Sequence, residues 1–511
     1  MLLYDTKVGE RWGHNYDLIG GTPNGIGQIW QRPAQNCEAM IAAGLDPLRV
    51  VCEHAHSRGM NFLAHLLLNL LHQQPNRVTN GRQADFTTEN PELTIGADPQ
   101  GKIFGDPNQL SYAHAKVRME RLAIIKELLS DYPTDGVEIN FMVGTPLLSR
   151  AEVVTHTAAL TEWMRDIKKA ATVAAVEQGR DKRVVVRVPA TLSGNSSLGH
   201  DLCTWITEGL IDTVVAVAVE CPDFSASVSS LRELATLCEQ HGVRVIVALE
   251  STAVEQTELV HRAAIVNAYS AGASGVLFHR WYPGQGTQAA RRVLHPYSAQ
   301  DYERLRFAAY PDIQARRDKT FRLGPVSIAG MGLCGNTPWS SKAEGMEQVV
   351  EGWLPLPLPL SPCVPSPELP LEIADDISAA EREGMLWRCE LIISIAHLAY
   401  SDLLEIEWNN TVLSVEDAAA AGTVRKADWS YQMRPSGVPE ATAGFWGYRL
   451  HVDLKRNGML PICGRNHARV RLLDRDPQLQ PVEVRVVEVQ VVVEYLSHKN
   501  GIRDEEDYYR A

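Results

Sequence analysis

The chain has 511 residues, a mass of 56.5 kDa, a net charge of -13 and a pI near 5.7. That length exceeds a single compact core and implies two to four domains, while the acidic balance, with no strong basic patch, speaks against nucleic acid or an anionic membrane as partner. Apolar runs such as 62–71 and 214–219 are too short to span a bilayer. The N-terminus, Met1-Leu-Leu-Tyr-Asp-Thr-Lys, lacks the three regions of a secretory signal. The sequence as written therefore reads as cytoplasmic, with secretion open if its start is incomplete. Nine cysteines are scattered without a Cys-x-x-Cys pair, so neither a zinc cluster nor a disulfide framework is expected.

Residues 1–35 are rich in Gly, Asn and Trp and read as a loop, and 36–59 carry a helical pattern. From there to about 310, short β-rich runs at 60–68, 136–142, 183–189, 213–220, 243–250 and 275–279 alternate with amphipathic segments at 111–130, 150–178, 228–242 and 255–271. This alternation is the signature of βα units around a parallel sheet. The strands are apolar on both faces, as parallel strands covered on both sides must be. In 213–220, Val215, Val217 and Val219 oppose Ala216, Ala218 and Glu220, so the smaller-residue face ends in an acid. The expected fold is a TIM-type (β/α)8 barrel, in which strand C-termini face the active-site mouth.

Only six strands are clear, with 319–323 a weaker candidate. Either one or two barrel strands are cryptic before residue 60 or the chain begins after the usual barrel start, and the latter is slightly favoured. Beyond Tyr310 the alternation stops, and seven prolines between 352 and 371 read as a stiff polyproline II spacer. Runs at 369–373, 389–397, 403–408, 448–454, 467–473 and 482–495, with turn signals at Asn457-Gly458 and Asn500-Gly501, then predict an antiparallel β-sandwich. The expected organisation is a barrel over 1–320, a connector and Pro-rich linker over 321–371, and an accessory sandwich over 372–511.

Asp135-Gly-Val-Glu-Ile-Asn sets Glu138 and Asn140 on one face of a buried strand, opposite Val137 and Ile139. Glu250 ends another strand. Two carboxylates from different strands at a barrel mouth suit glycoside hydrolysis, one protonating the leaving oxygen and the other attacking or activating water. Counting the 275–279 strand as the eighth puts Glu138 on the fourth and Glu250 on the seventh. That arrangement belongs to a large clan of retaining glycosidases. Glu138 is accordingly expected as general acid/base and Glu250 as nucleophile or base. Glu220 competes as second carboxylate or sugar ligand, and each of these acids could equally be a rim residue in a structural ion pair.

Arg187 interrupts Val-Val-Val-Arg-Val-Pro, a costly place for an unpaired charge. It could orient Glu138 or Glu220, bind an acidic substrate, or form a structural salt bridge. His65, Asn69 and His72 are candidates for sugar hydroxyls or simply satisfied polar residues, His279 and Asn140 are further candidate substrate contacts, and Tyr112, Trp281 and Tyr282 are candidates for ring stacking or plain packing. His54 and His56 stand two apart in a helical pattern and point to different faces, so no metal is expected, nor any other cofactor. No strand ends in a lysine for Schiff-base chemistry. The Gly-rich run at 330–335 follows no convincing strand, which leaves a dinucleotide fingerprint weak. Ala271-Gly-Ala-Ser-Gly-Val keeps a metabolic lyase or aldolase as a third reading.

Six segments carry a family resemblance: Tyr4-Asp-Thr-Lys-Val-Gly-Glu, Cys52-Glu-His-Ala-His-Ser-Arg-Gly, Tyr112-Ala-His, Asp135-Gly-Val-Glu-Ile-Asn-Phe-Met, Val186-Arg-Val-Pro and Gly209-Leu-Ile-Asp. On these, residues 4–310 resemble the barrels loosely called family-10-type glycosylhydrolases, often followed by a β-sandwich. The resemblance implies an oligo- or polysaccharide substrate and barrel strands preceding Tyr4 in relatives. Relatives carry an acid where this chain has Asn140, and polar residues in place of Leu67, Leu70 and Ser111. Two expectations follow: a hydrolase run by Glu138 and Glu250 with Asn140 tuning its neighbour, or an inactive glycan-binding protein descended from one.

Overall fold

A computed structural model describes residues 2–14, 25–69, 84–96, 108–142, 145–217, 228–250, 257–279, 297, 299–324, 356–433, 443–475 and 482–496. Strands β1 (Ala64–Leu67), β2 (Gly136–Asn140), β3 (Arg183–Pro189), β4 (Thr213–Val217), β5 (Arg244–Glu250) and β6 (Gly275–His279) follow one another in chain order in one sheet. The β1–β2, β2–β3 and β5–β6 pairs are parallel. The βα pattern is therefore present with six strands among the described residues, and a complete eight-stranded barrel is not shown.

The chain divides into two compact units. Among the described residues, the first holds those up to 215 and 237–244. The second holds 216–217, 228–236, those between 245 and 324, and those from 356 onward.

In the first unit, the residue opening each strand sets the register. Asp135 donates its N–H to Phe62 O and receives that of Arg183, and Asp212 donates to Val184 O and receives that of Arg244. Their carboxylates add a second lock. Asp135 Oδ2 accepts the N–H of Phe62 and lies 2.8 Å from His56 Nε2, and Asp212 accepts the N–H of Val184 and both Lys168 Nζ contacts. A strand shifted by one residue would reverse every face, so these bonds decide which side chains point inward. The helix Ala115–Ser130 packs on β2 and the helix Arg150–Gln178 on β3, burying Ile124, Ile125, Leu128, Trp163, Met164 and Ile167. Gly179, at φ 60°, ends the longer helix in the left-handed conformation glycine adopts without strain.

The region read as a loop and one helix before β1 contains two helices, Gly25–Ala42 and Pro47–Ser57. Gly44 at φ +77° breaks the run, and Asp46 caps the second helix by accepting the N–H groups of Leu48 and Arg49. A continuous apolar periodicity across Gly44 hid that break from the pattern.

In the second unit, β7 (Lys319–Leu323), β8 (Leu358–Pro359), β9 (Leu369–Ile373), β10 (Leu386–Ala396), β11 (Leu403–Trp408), β12 (Thr411–Ser414), β13 (Val424–Met433), β14 (Ala443–Asp453), β15 (Gly464–Asp474) and β16 (Arg485–Tyr495) build two sheets. One runs β13-β14-β10-β16-β7, with β8 on β16, and the other β12-β11-β15-β9. Leu391, Ile393, Leu450, Val452, Val489 and Val491 from the first share one core with Leu371, Leu404, Ile406, Val470 and Leu472 from the second. Burial in β15 and β9 alternates residue by residue, as in a sandwich with one wet face.

Three readings are corrected here. The 319–323 run is not a further barrel strand; it pairs antiparallel with β16, and buried Lys319 is fixed there by Asp375 at 2.7 Å, which also accepts from Tyr495 Oη. The described part of the Pro-rich run is not a free spacer, because Leu360, Cys363 and Ser366 donate N–H groups to Val484, Leu472 and Val470. Proline lacks that donor, so the residues between prolines make the edge bonds. The sandwich thus starts well before 372, and its connections include the helices Ile377–Arg382 and Val415–Ala420.

Gly136 has φ +136°, and a Cβ there would lie 2.0 Å from Arg183 O. Gly136→Ala is expected to destabilise the first unit by at least about 1–3 kcal/mol through overpacking against β3. Gly179→Ala, with nothing within 4 Å of its Cβ, should cost only its left-handed backbone, roughly 1–2 kcal/mol; urea unfolding of the two variants tests the order.

Candidate functional site

Registry places the polar residues of three strands on one face. His65 pairs with Glu138 and Leu67 with Asn140 across β1–β2, and Val185 pairs with Glu138 and Arg187 with Asn140 across β2–β3. Their neighbours Val137, Ile139, Val184 and Val186 face the opposite way and are fully buried. All of these residues lie in the first unit.

Glu138 is 8% exposed and Arg187 5%. Glu138 Oε1 accepts from Arg187 Nε at 2.7 Å and lies 2.5 Å from Nη2, while Oε2 lies 3.3 Å from His65 Nδ1. The hydrogen-bond roles then follow from one fixed donor. The N–H of Met142 donates to Asn140 Oδ1 at 2.8 Å, which turns the Asn140 amide N–H toward His65 Nε2, 3.4 Å away. His65 Nε2 is thus the acceptor and Nδ1 carries the proton donated to Glu138.

Burial by itself would push the Glu138 carboxyl up. The His65 hydrogen bond and the Arg187 charge outweigh it and hold Glu138 below its ordinary 4.5. Arg187 is the firmer of the two, because its bonds are shorter and the His65 side chain is 36% exposed. Glu138 is therefore a buried carboxylate that stays ionised at neutral pH, with both oxygens engaged.

The other candidates are placed differently. Tyr112 is fully buried, donates its hydroxyl to Leu68 O at 2.9 Å and meets Trp163 edge-on at 5.5 Å, so its ring has no face open to a sugar. Asn69 is buried and donates to Leu110 O at 3.1 Å, bracing the exit of β1. Glu250 is the last residue of β5 and pairs with His279 in β6, and their side chains lie outside the described residues. Glu220, His72 and Trp281 also lie outside them.

His56 is held by Asp135 at the start of β2 rather than near Glu138. Under the exit of β2, Phe141 packs against His200 and Trp205, and burial lowers His200 to about 3, keeping it neutral. The link from His65 to Glu138 was the missed feature. It depends on the in-register start of β1 and β2, which Phe62 and Asp135 establish.

No family profile and no curated protein matches the chain. Among solved structures, it is similar to the PgaB (BpsB) glycoside hydrolase domain of Bordetella bronchiseptica at 14% identity, over 47% of this chain and 77% of that one, with a TM-score of 0.30. A Paenibacillus thiaminolyticus alpha-L-fucosidase is similar at 10% identity, over 88% of this chain and 90% of that one, with a TM-score of 0.33. A Paenibacillus sp. cycloisomaltooligosaccharide glucanotransferase is similar at 9% identity, over 86% of this chain, with a TM-score of 0.29; this chain spans 47% of its length. All three are carbohydrate-active enzymes. At such TM-scores the likeness decides nothing about reaction, and family 10 is not singled out. No described helix is long and apolar enough to cross a membrane.

Arg187→Ala would leave Glu138 buried and unpaired, and is expected to destabilise by about 3–5 kcal/mol. Glu138→Leu with Arg187→Met should recover most of that loss in urea unfolding. With its folded pKa depressed, Glu138 contributes stability that is full above its ordinary 4.5 and is lost as pH falls through the lower folded value. Unfolding midpoints between pH 3 and 7 should therefore fall more steeply toward acid in the native chain than in Glu138→Gln.

Proposed function

We propose that the protein is a carbohydrate-active hydrolase in which Glu138 serves as the ionised carboxylate. What carries the reading is one observation: a buried carboxylate kept charged by Arg187 and His65 on a polar face shared by three parallel strands. Glycosidic cleavage passes through an oxocarbenium-like transition state with positive charge at the anomeric centre. A fixed anion in a poorly hydrated site stabilises that charge far better than water would.

The lowered Glu138 value revises the roles expected from sequence. A general acid needs a raised pKa at neutral pH, and Glu138 has the reverse, so it suits the nucleophile or base. Glu250, at the C-terminal end of β5, is then proposed as the acid that protonates the leaving oxygen. Glu220, His72, His279 and Trp281 remain proposed substrate contacts. Asn140 acts through His65, as the donor that fixes its tautomer.

A second reading, glycan binding without turnover, is favoured by the saturation of Glu138, whose two oxygens already have partners. An aryl-glycoside panel separates the two. Under the first reading Glu138→Gln lowers turnover about 10²–10⁴-fold on every leaving group, and Glu250→Gln slows poor leaving groups far more than good ones. Turnover surviving both substitutions contradicts the residue roles; glycan binding with no turnover by the native chain establishes the second reading.

A further inference from the structure

Away from the Glu138 face, Glu10, His14 and Asp85 converge from two segments of the first unit, with one ligand atom of each lying within 4.8 Å of the others. His14 Nε2 lies 3.4 Å from Glu10 Oε2 and 3.1 Å from Asp85 Oδ2. The other ring nitrogen, Nδ1, lies 2.9 Å from Arg11 O. A carbonyl only accepts, so Nδ1 carries a proton. The neutral ring would then aim the Nε2 lone pair at two carboxylates, an arrangement that is repulsive unless a positive charge sits between them.

That charge can be a second ring proton or a metal ion, and three ligand atoms within 4.8 Å of one another leave room for the ion. Zinc–nitrogen and zinc–oxygen bonds of about 2.0–2.2 Å give tetrahedral ligand–ligand edges of about 3.3–3.6 Å; the His14–Glu10 separation of 3.4 Å falls within that range and the His14–Asp85 separation of 3.1 Å just below it. The surrounding bonds also match a ligating set. A metal-bound histidine ordinarily donates its other N–H to a carbonyl or carboxylate, as Nδ1 does here. Glu10 is anchored as well, accepting the N–H of Asp85 on Oε2 and that of Phe86 on Oε1 at 2.8 Å. All three side chains are partly exposed, which leaves a path for the ion.

We propose that Glu10, His14 and Asp85 bind a divalent transition-metal ion of the zinc kind, clasping the N-terminal segment 2–14 to the helix Asp85–Glu89. One imidazole and two carboxylates supply three ligands, with water completing the tetrahedron. When the ion replaces a proton on Nε2, that proton passes to solvent, so affinity falls as pH falls. This clasp is independent of Glu138 and of any glycosidase activity. From sequence the only signal was Glu10 four residues before His14, with Asp85 too distant to connect.

The test is titration of the chelator-treated full chain with Zn²⁺ by calorimetry and with Co²⁺ by visible absorption, at pH 7.5 and 5.5. The native chain should bind with tetrahedral Co²⁺ bands and weaken at pH 5.5. His14→Gln should bind at least about tenfold more weakly and lose those bands. Asp85→Asn is the second variant, since it keeps the side-chain shape should His14→Gln misfold. Unchanged affinity and bands in both variants would assign the binding to other His or Cys residues and overturn the proposal, as would no saturable binding by the native chain.

Discussion

The ion pair between Glu138 and Arg187 constrains much of the first unit. Two charges taken out of water cost several kcal/mol each, and their attraction offsets that only when geometry is good and the remaining hydrogen-bonding capacity is met. Here Arg187 meets one carboxylate oxygen with two nitrogens and His65 meets the other. That requires His65, Glu138 and Arg187 to face the same way on three adjacent strands. The requirement is satisfied by Asp135 and Asp212, which fix the strand openings far from the charges themselves. A slip of one residue in β2 would turn Glu138 toward the helices and expose Val137 and Ile139 to the polar face. The alignment thus serves packing and electrostatics together.

Asn140 shows how such a network is tuned without an added charge. Its amide oxygen accepts the Met142 N–H, and its amide nitrogen lies 3.4 Å from His65 Nε2. On the polar face of β1, β2 and β3, Asn140 thus adds hydrogen-bonding capacity beside Glu138 without adding a second charge.

Much of this was legible in the sequence. Alternation in Gly-Val-Glu-Ile-Asn placed Glu138 and Asn140 on one face, and the cost of a charge in Val-Val-Val-Arg-Val-Pro called for a partner to Arg187. Long-range pairings were not legible, since β-rich runs do not announce their neighbours. Lys319 to Leu323 resembles a barrel strand by composition, and only its pairing with β16 separates it. β13 escaped notice because Arg425, Lys426 and Asp428 interrupt its apolar pattern. The prolines of 356–371 suggested a spacer because their own lack of donors concealed the bonding of the residues between them. For Tyr112 the sequence left ring stacking and plain packing both open, because position beside a strand does not reveal burial, and the structure shows packing.

Glu138 is a buried carboxylate stabilised in its charged form. Its most direct measurement is the titration of the Glu138 side-chain carboxyl by ¹³C NMR, assigned by the signal that disappears in Glu138→Gln. The midpoint should lie below the ordinary value of 4.5. A midpoint above 4.5 would contradict this, showing that burial outweighs Arg187 and His65.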